Sequence, residues 1–379
     1  MSGMRGEKFS ADEAIRYSRH LVLPQFGSEA QAKLKAASVA VVGAGGLGSP
    51  VLLYLAAAGV GSLTIIDPDV VSVSNLQRQI LYSTSEVGQY KAVVAAQKIK
   101  HLNPHVQVTV HTTTITAENA FQLLSPSLTL VIDCTDNFPT RYLLNDACVL
   151  LNIPYVYGSI FRYEGQVSVF NWNGGVTYRD FYPTPPHPDS VPNCEQGGVL
   201  GVLSGLIGCL QANEAIKVIT GYAVPLANSV LIVDSATLET IQVKIPDRNS
   251  RSHIKKLINY DEFCHPKPTG NKSLMKEVTV QELKQMIDKK EDFQLIDVRE
   301  PHEYQICNLG GELIPQGEIP HSVGLISKDK KVILQCRSGA RSGNMVQWLE
   351  KNHGFTNLYN LKGGILAWAK EIDPSVPTY

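Results

Sequence analysis

The sequence lacks a strong net charge and a long apolar run, and both absences limit what the protein can be. Its formal net charge is −1 over 379 residues, so nothing draws the whole chain to nucleic acid or to anionic membranes. The longest apolar stretch, 199–210, is about half of the ~20 residues that a membrane-spanning helix requires. Residues 1–20 contain no apolar segment typical of a secretion signal. We therefore expect a protein that binds neither nucleic acid nor membrane.

The sequence also lacks a disulfide framework. Its seven cysteines are an odd number, and they follow no regular spacing. Such usage is typical of reduced thiols, so we expect a cytoplasmic protein. Cys134, Cys148 and Cys209 lie in apolar stretches and are predicted to be buried and unreactive. The length and the 44% hydrophobic content favour two domains or one large domain with an appendage.

Two kinds of apolar segment alternate along the first two thirds of the chain. Short runs rich in Val and Ile predict buried strands, and longer runs rich in Ala and Leu predict helices. The predicted strands are 38–42, 62–66, 106–112, 128–132, 155–159, 165–170, 229–234 and 239–243. The main predicted helices are 11–21, 47–58, 91–102 and 198–220. This order predicts an α/β fold in which antiparallel strands extend a parallel sheet into a mixed one.

A glycine-rich turn, Gly43 to Gly48, joins the first predicted strand to its helix. Glycines at such a junction let the backbone approach a phosphate group, while the helix N-terminus contributes N–H donors. Asp67, at the end of the next strand, can accept a hydrogen bond from a ribose hydroxyl. The pattern predicts a Rossmann-like nucleotide-binding domain. The glycine turn leaves the nucleotide open, because the same pattern also serves NAD and FAD.

The polar cluster 74–79 after the second strand favours ATP over a nicotinamide. An enzyme that transfers AMP to a carboxylate must neutralise a triphosphate and hold magnesium, whereas a dehydrogenase needs neither. Arg78 and Lys91 carry the required positive charge, Asp136 offers a carboxylate for magnesium, and Asn75 can orient phosphate oxygens. As a set these residues predict an adenylating enzyme.

Each of these residues also has an ordinary structural explanation. Lys91 begins a predicted helix, where a lysine is usually solvated. Asp136 and Asn137 precede Pro139 and would serve equally well as a helix N-cap. Only the whole set outweighs these explanations.

Several stretches in fixed order resemble the MoeB/ThiF family, bacterial relatives of ubiquitin-activating enzymes, over about residues 10–245. The matching stretches are Arg16 to Arg19, Gly43 to Gly48, Asp67 to Gln79, Gly88 to Lys91, Asp133 to Asn137 and Glu164 to Val167. The resemblance implies a homodimer that uses ATP and Mg²⁺ to adenylate the C-terminal Gly-Gly carboxylate of a ubiquitin-fold sulfur carrier protein. The expected ATP-binding residues are Gly43, Gly45, Gly46, Gly48, Asp67, Ser74, Asn75, Arg78, Gln79, Lys91, Asp136 and Asn137.

Three further expectations come from this resemblance. Arg19 matches an arginine that reaches into the neighbouring subunit's triphosphate site; outside the family it would be taken for an exposed helix arginine. Cys194 matches the conjugating cysteine, which attacks the acyl-adenylate or resolves an acyl disulfide. Most relatives carry two Cys-x-x-Cys pairs for a structural zinc, but this chain has Thr177 and Asp180 at the first pair and only Cys264 at the second. We therefore expect no structural zinc, with packing in its place.

The C-terminal region, Met275 to Tyr379, resembles a rhodanese domain, a small α/β sulfurtransferase. The matching stretches are 295–300, 335–342 and 361–368. A strand, a tight loop that begins with Cys and a helix place successive N–H groups around a sulfur atom as an anion nest. The expected sulfur-binding loop is Cys336, Arg337, Ser338, Gly339, Ala340 and Arg341. A phosphatase loop of similar pattern is one residue longer, so the shorter loop suits a persulfide or thiosulfate.

Two residues beside this loop, Asp297 and Arg299, are predicted to form an internal ion pair that belongs to the scaffold, and Cys307 is predicted to be buried. The domains predicted from the sequence are therefore an adenylation domain over 1–245, a linker over 246–274 and a sulfurtransferase domain over 275–379.

The combined prediction is an adenylyltransferase fused to a sulfurtransferase, with the carrier thiocarboxylate as product. The alternatives are an enzyme restricted to thiamine rather than molybdopterin biosynthesis, a nucleotide-binding scaffold with a docking rhodanese domain, and an NAD-dependent oxidoreductase. The sequence identifies neither the carrier, the pathway nor the physiological sulfur donor.

Overall fold

The computed structural model describes residues 9–186, 198–264 and 275–377. The chain divides into two units, Met1–Pro266 and Lys267–Tyr379. Cys194 falls outside the described residues.

The first unit is built on an eight-stranded sheet of order β3-β2-β1-β4-β5-β6-β7-β8. Its strands are β1 (Ser38–Val42), β2 (Ser62–Ile66), β3 (Gln107–His111), β4 (Leu130–Asp133), β5 (Tyr155–Phe161), β6 (Glu164–Phe170), β7 (Ser229–Asp234) and β8 (Thr240–Lys244). The strands from β3 to β5 pair in parallel, and those from β5 to β8 pair antiparallel. The predicted mixed sheet is therefore confirmed.

Helices cover both faces of this sheet and enclose two apolar clusters. They are α1 (Ala11–Arg16), α2 (Ser18–Leu21), α3 (Gly27–Ala36), α4 (Gly48–Ala58), α5 (Lys91–Leu102), α6 (Ala120–Leu123), α7 (Phe138–Leu151), α8 (Tyr178–Phe181), α9 (Gly201–Thr220) and α10 (Tyr260–Cys264). By length and composition α9 could cross a membrane. Its buried residues, such as Leu203 and Ile207, belong instead to the apolar core of this unit.

The prediction of a single helix over 11–21 is wrong in one respect, because Tyr17 interrupts it and the segment forms two helices, α1 and α2. The Tyr17 side chain is buried, and its hydroxyl accepts a hydrogen bond from Asn103 at 2.8 Å. It packs so closely on Gly59 that a Cβ there would lie 2.5 Å from the ring. Tertiary packing of one aromatic residue therefore overrides the local helical pattern.

Part of the segment predicted to be a linker belongs to the first unit. Tyr260 and Cys264 are buried in the cluster around α7, and Ile254 is buried as well. The Tyr260 hydroxyl donates to Asp146 at 2.8 Å. These buried residues were not recognised in the sequence, because they are apolar residues spaced widely within the polar and proline-rich segment 246–276.

Thr177 and Asp180, where the resemblance would place the first pair of zinc cysteines, are held by hydrogen bonds. The Asp180 carboxylate accepts the Thr177 N–H at 2.7 Å and hydroxyl at 2.8 Å, and the N–H groups of Arg248 and Ser250 at 3.0 and 3.1 Å. Burial alone would raise the pKa of Asp180, but the bonds from Thr177 and Ser250 outweigh it and lower the pKa. The carboxylate thus joins α8 to the 248–250 turn.

We predict that Asp180→Asn lowers the free energy of unfolding of the first unit by about 1–3 kcal/mol at neutral pH, because Asn cannot accept four hydrogen bonds in this geometry. Because the pKa of Asp180 is lowered in the folded state, its ionised carboxylate stabilises the folded protein at pH values above the unfolded-state pKa. This stabilisation is lost as the pH falls through the folded-state pKa, so the difference in free energy of unfolding between the native and Asp180→Asn proteins should shrink in acid. Denaturant titrations at several pH values would measure it. The exposed Asp247→Asn is the control; equal effects of the two substitutions would contradict the bridging role.

The second unit has a five-stranded parallel sheet of order β11-β10-β12-β13-β9. Its strands are β9 (Glu277–Val278), β10 (Phe293–Asp297), β11 (Glu312–Leu313), β12 (Lys331–Gln335) and β13 (Leu358–Leu361). Its helices are α11 (Val280–Asp288), α12 (Pro301–Ile306), α13 (Ala340–His353) and α14 (Gly364–Glu371). Apolar clusters lie on its two faces. The predicted small α/β domain is confirmed.

Candidate active sites

The glycine turn lies where the carboxyl ends of three neighbouring strands meet. In the register of the sheet, Val42 of β1 pairs with Ile66 of β2 and with Asp133 of β4. The next residue of each strand therefore lies at one edge, which is the usual position for a ligand in an open α/β sheet. An open cleft of about 350 Å³ occupies this edge.

Glycine is required at both ends of the turn. Gly43 has a φ of 93°, and a Cβ there would lie 2.6 Å from the Cys134 carbonyl oxygen. A Cβ on Gly48 would lie 2.1 Å from the Gly43 carbonyl oxygen. The backbone at the start of α4 is thus packed too tightly for any side chain at these two positions. With glycine at both, no side chain separates the backbone of the turn from the cleft.

Asp67 holds the glycine turn in place by a hydrogen bond. It is buried, and its Oδ2 accepts the Ala44 N–H at 2.7 Å while Oδ1 accepts the Asp69 N–H at 2.8 Å. Burial raises the pKa of Asp67, and these hydrogen bonds partly oppose the rise. Asp67 also lines the cleft, so it fixes the glycine turn as well as being available to a ligand hydroxyl.

Two cationic side chains line the cleft beside the turn. Lys91, the first residue of α5, is buried rather than solvated, and its Nζ lies 2.9 Å from Asp69 Oδ2. Arg78 is half-buried and donates to the Ser74 carbonyl oxygen at 3.2 Å. Because the Asp69 side chain is 64% exposed, a triphosphate can compete with it for Lys91. The arrangement offers positive charge where a nucleotide's phosphates would lie.

The turn after β4 brings a carboxylate to the rim. Asp136 is exposed there, and Asn137 is the N-cap of α7, with its Oδ1 accepting the Thr140 N–H at 2.9 Å. The capping explanation therefore applies to Asn137, while Asp136 faces the cleft. Magnesium in nucleotide sites is usually held by one or two carboxylates together with phosphate oxygens. A single rim carboxylate fits that requirement.

Two buried polar atoms in the cleft have no hydrogen-bond partner among the described residues. They are Oε1 of Gln79 and Nε of Arg141, whose residues are 5% and 6% exposed. Leaving such a group unsatisfied costs about 1–3 kcal/mol, and protein sites carry that cost where a ligand supplies the partner. The cleft therefore fits a large polar ligand such as ATP.

The structure brings most of the predicted nucleotide-binding residues into this cleft. Those that line it are Gly43, Gly45, Gly46, Asp67, Arg78, Gln79, Lys91, Asp136 and Asn137. Gly48, Ser74 and Asn75 are outside its lining: Gly48 begins α4, and Ser74 and Asn75 form a 3₁₀ turn that supports Arg78. Arg19 is exposed on α2 and does not line its own chain's cleft.

Sequence reasoning missed a buried network behind Asp136. The Asp133 carboxylate accepts from the Tyr155 hydroxyl at 2.5 Å and from the Thr135 hydroxyl at 2.6 Å, and burial raises its pKa. Arg141 donates to the Thr135 carbonyl oxygen at 3.1 Å. These bonds hold the turn that presents Asp136. Asp133 could have been recognised from its position directly after a predicted strand, but nothing in the sequence marks Arg141 as buried.

The second site lies in the other unit, at the carboxyl end of β12. Cys336 is 1% exposed, and its Sγ accepts the Gly339 N–H at 3.1 Å and lies 3.3 Å from the Ser342 hydroxyl. The Ser342 hydroxyl also lies 2.7 Å from Asn360 Oδ1, so its single proton serves one acceptor at a time. These neutral donors surround a sulfur atom that can carry negative charge.

The first turn of α14 holds the loop after Cys336 in place by hydrogen bonds. The N–H groups of Ile365 and Leu366 donate to the carbonyl oxygens of Cys336 and Arg337 at 2.9 and 3.0 Å. A Cβ on Gly364 would lie 2.3 Å from the Cys336 carbonyl oxygen. Of the remaining loop residues, Arg337 is half-buried, and Ser338 and Ala340 are exposed.

The charged groups around this loop are arranged in pairs. Asp297 and Arg299 form a fully buried ion pair with a 2.6 Å contact, and Cys307 is buried beside Arg299, as predicted. Arg341, which was predicted as part of the sulfur-binding loop, makes two 2.7 Å hydrogen bonds to Glu303 of α12. This partner could not be predicted from local sequence patterns, since the two residues lie 38 positions apart.

Of the other cysteines, Cys134 and Cys148 are buried as predicted, while Cys209 is only partly buried. Burial raises the pKa of all three thiols, which disfavours the nucleophilic thiolate. Among the described residues no group of three or more His, Cys, Asp and Glu side chains is arranged to hold a metal ion.

Comparison with known proteins gives the same division of the chain. Residues 17–254 match the ThiF family, and residues 279–371 match the rhodanese-like domain. The probable adenylyltransferase/sulfurtransferase MoeZ of Mycobacterium tuberculosis is 42% identical, covering 98% of this chain and 96% of its own length. The adenylyltransferase and sulfurtransferase MOCS3 of Drosophila sechellia is 41% identical, covering 98% and 86%.

Solved structures with a similar fold cover about two thirds of the chain. The crystal structure of selenomethionine PaaA aligns with a TM-score of 0.56 and 23% identity, covering 65% of this chain and 77% of PaaA. Escherichia coli MccB crystallised with ATP aligns with a TM-score of 0.55 and 23% identity, covering 64% and 74%. At this identity the likeness concerns the fold.

Proposed function

The chain belongs to the ThiF family and carries a C-terminal rhodanese-like domain, and we propose that it makes the thiocarboxylate of a small ubiquitin-fold sulfur carrier protein. It adenylates the carrier's C-terminal glycine with ATP and then transfers sulfur to it. The observation that carries the proposal is one cleft that combines the glycine turn, Arg78, Lys91 and Asp136 with the unsatisfied Gln79 and Arg141.

In the adenylation step a carboxylate oxygen of the carrier's terminal glycine attacks the α-phosphorus of ATP. The bond to the bridging oxygen breaks, and pyrophosphate leaves with the electron pair. The N–H groups of the glycine turn bind phosphate oxygens, and Arg78 and Lys91 neutralise the charge that develops on pyrophosphate. Asp136 would hold magnesium, which when bound supplies further charge neutralisation. Asp67 binds a ribose hydroxyl.

In the transfer step the Cys336 persulfide attacks the acyl-adenylate carbonyl, and AMP leaves. A second thiol then attacks the Cys336 sulfur of the acyl disulfide and releases the carrier thiocarboxylate. Cys194 is our candidate for that thiol; alternatively it attacks the acyl-adenylate itself. The disulfide that forms is reduced by a cellular thiol, which accords with a cytoplasmic setting.

A binding experiment can identify the carrier and, with it, the pathway, molybdopterin or thiamine biosynthesis. Each of the cell's small proteins that ends in Gly-Gly is incubated with the full-length chain and ATP, and retention is measured. ATP-dependent retention of one carrier identifies the pathway. Retention that does not require ATP would favour a docking scaffold.

We also propose a homodimer in which Arg19 completes the neighbouring subunit's site, since Arg19 is exposed and does not line its own chain's cleft. Arg19→Ala and Asp136→Ala subunits, each inactive alone, should recover about a quarter of the active sites when mixed, as random pairing with shared sites requires. Pyrophosphate exchange after confirmed subunit exchange measures this recovery. No recovery would show that Arg19 acts within its own chain or not at all.

A further inference from the structure

Tyr82, which follows the polar cluster 74–79, does not line the nucleotide cleft but is bonded to two elements that do. The residue is 7% exposed, and its hydroxyl donates to the Ala44 carbonyl oxygen at 2.7 Å. The same hydroxyl lies 3.3 Å from the carbonyl oxygen of Lys91. A hydroxyl has a single proton, so the shorter bond to Ala44 is the stronger one. Tyr82 thus connects the glycine turn with the start of α5.

The backbone on both sides of Ala44 is held by buried side chains. Asp67 accepts the Ala44 N–H at 2.7 Å, and Tyr82 donates to the Ala44 carbonyl oxygen. The described residues contain no cis peptide bond, and the C=O and N–H of a trans peptide group point in opposite directions. The Gly45 N–H belongs to the same peptide group as the Ala44 carbonyl. It is therefore held so that it points away from Tyr82.

The Gly45 N–H is available to a ligand. Gly45 lines the cleft, and within the described part of the chain its N–H donates to no protein acceptor. Burial raises the pKa of the Tyr82 hydroxyl, so the hydroxyl keeps its proton and donates at neutral pH. A hydrogen bond to a carbonyl oxygen polarises the peptide group and strengthens its N–H as a donor. A phosphate oxygen is the acceptor that such a donor fits.

We infer that Tyr82 is a positioning residue of the nucleotide cleft, which aims the Gly45 N–H at a phosphate group of ATP without touching ATP itself. The inference rests on the proposed binding of ATP in this cleft, and it adds a residue from outside the cleft lining. Because Tyr82 acts on phosphate through Gly45, loss of its hydroxyl should weaken the binding of a nucleotide and leave the binding of a nucleoside unchanged.

The test compares ATP with adenosine on the full-length protein. Calorimetric titration in the presence of Mg²⁺ and without carrier measures Kd for each. Tyr82→Phe keeps the buried ring and removes the hydroxyl, so Kd for ATP should rise roughly 3- to 10-fold, the effect of one lost hydrogen bond, while Kd for adenosine stays within about twofold. In pyrophosphate exchange KM for ATP should rise by the same factor with kcat within about twofold, because the N–H binds phosphate before and during the reaction.

Tyr142→Phe is the matched control. Tyr142 is buried, and its hydroxyl donates to the Tyr182 carbonyl oxygen at 2.9 Å, as that of Tyr82 donates to Ala44. Neither Tyr142 nor Tyr182 lines the cleft. Denaturant titrations should show that both substitutions lower the free energy of unfolding, but Tyr142→Phe should bind ATP with native affinity. A purely structural role of Tyr82 would give folded Tyr82→Phe the same ATP affinity as this control.

A measurement on the native protein keeps the test decisive if Tyr82→Phe folds poorly. Hydrogen–deuterium exchange is followed on the peptide that contains Gly45, with saturating ATP and with saturating adenosine. ATP should slow this exchange more than adenosine does, because only ATP offers the Gly45 N–H a phosphate acceptor.

Three results would overturn the inference: an unchanged Kd for ATP in folded Tyr82→Phe, an equal rise in Kd for ATP and adenosine, or exchange at the Gly45 peptide that ATP slows no more than adenosine does. Failure of the native protein to bind ATP would refute the proposed function itself, which separates the two failures.

Discussion

Replacing Cys336 by alanine is expected to abolish thiocarboxylate formation while leaving carrier-dependent pyrophosphate exchange within about twofold of the native rate. The reason is that the nucleophilic sulfur and the nucleotide cleft belong to two different units of the chain, each with its own core, and effects at independent sites are additive. Exchange of labelled pyrophosphate into ATP and the mass of the carrier measure the two activities separately.

Two other cysteine variants serve as references for Cys336→Ala. Cys307→Ala removes a thiol that is buried beside the Asp297–Arg299 pair, and it should retain both activities. Cys194→Ala should retain exchange and the loading of sulfur on Cys336 but be impaired in transfer or release. Thiocarboxylate formation by Cys336→Ala at the native rate would mean that sulfur reaches the carrier by another route.

The second large effect is expected at the rim of the cleft. Asp136→Ala should reduce pyrophosphate exchange by about 100-fold or more, since the carboxylate that would hold the metal against the triphosphate is lost. Asp136 is exposed and caps no helix, so the free energy of unfolding should change by less than about 0.5 kcal/mol. Exchange kinetics together with a denaturant titration test both statements.

The control for Asp136→Ala is Asp247→Asn, which alters an exposed aspartate remote from the cleft lining. It should exchange pyrophosphate at the native rate. Undiminished exchange by Asp136→Ala would contradict the assignment of the metal ligand, whereas a loss of exchange accompanied by unfolding would contradict the claim that Asp136 has no structural part.

The residues that the sequence could predict are those whose role depends on local geometry. The glycine turn must follow β1 because a Cβ at Gly43 or Gly48 would collide with backbone atoms. Asp67 and Asp136 follow strands, and parallel strands end at one edge of the sheet. For these positions, chain order and residue type were sufficient.

The residues that the sequence could not reveal depend on partners far along the chain. Nothing in the sequence marks Arg141, yet packing buries it in the cleft wall. Arg341 was predicted as part of the sulfur-binding loop, but Glu303 from a different helix holds it. Asp180 depends on the distant turn at 248–250, whose N–H groups it accepts. No local pattern records such pairings.

We propose that sulfur is carried by Cys336 while ATP is used in the cleft of the other unit, and mapping the loaded sulfur tests this proposal. The full-length protein is treated with glutathione persulfide in the absence of ATP, digested without reductant and mapped by mass spectrometry. The account predicts one added sulfur atom on the peptide that contains Cys336 and none after Cys336→Ala. Added sulfur on the Cys194 peptide alone would contradict it and would leave the rhodanese-like domain as a docking module.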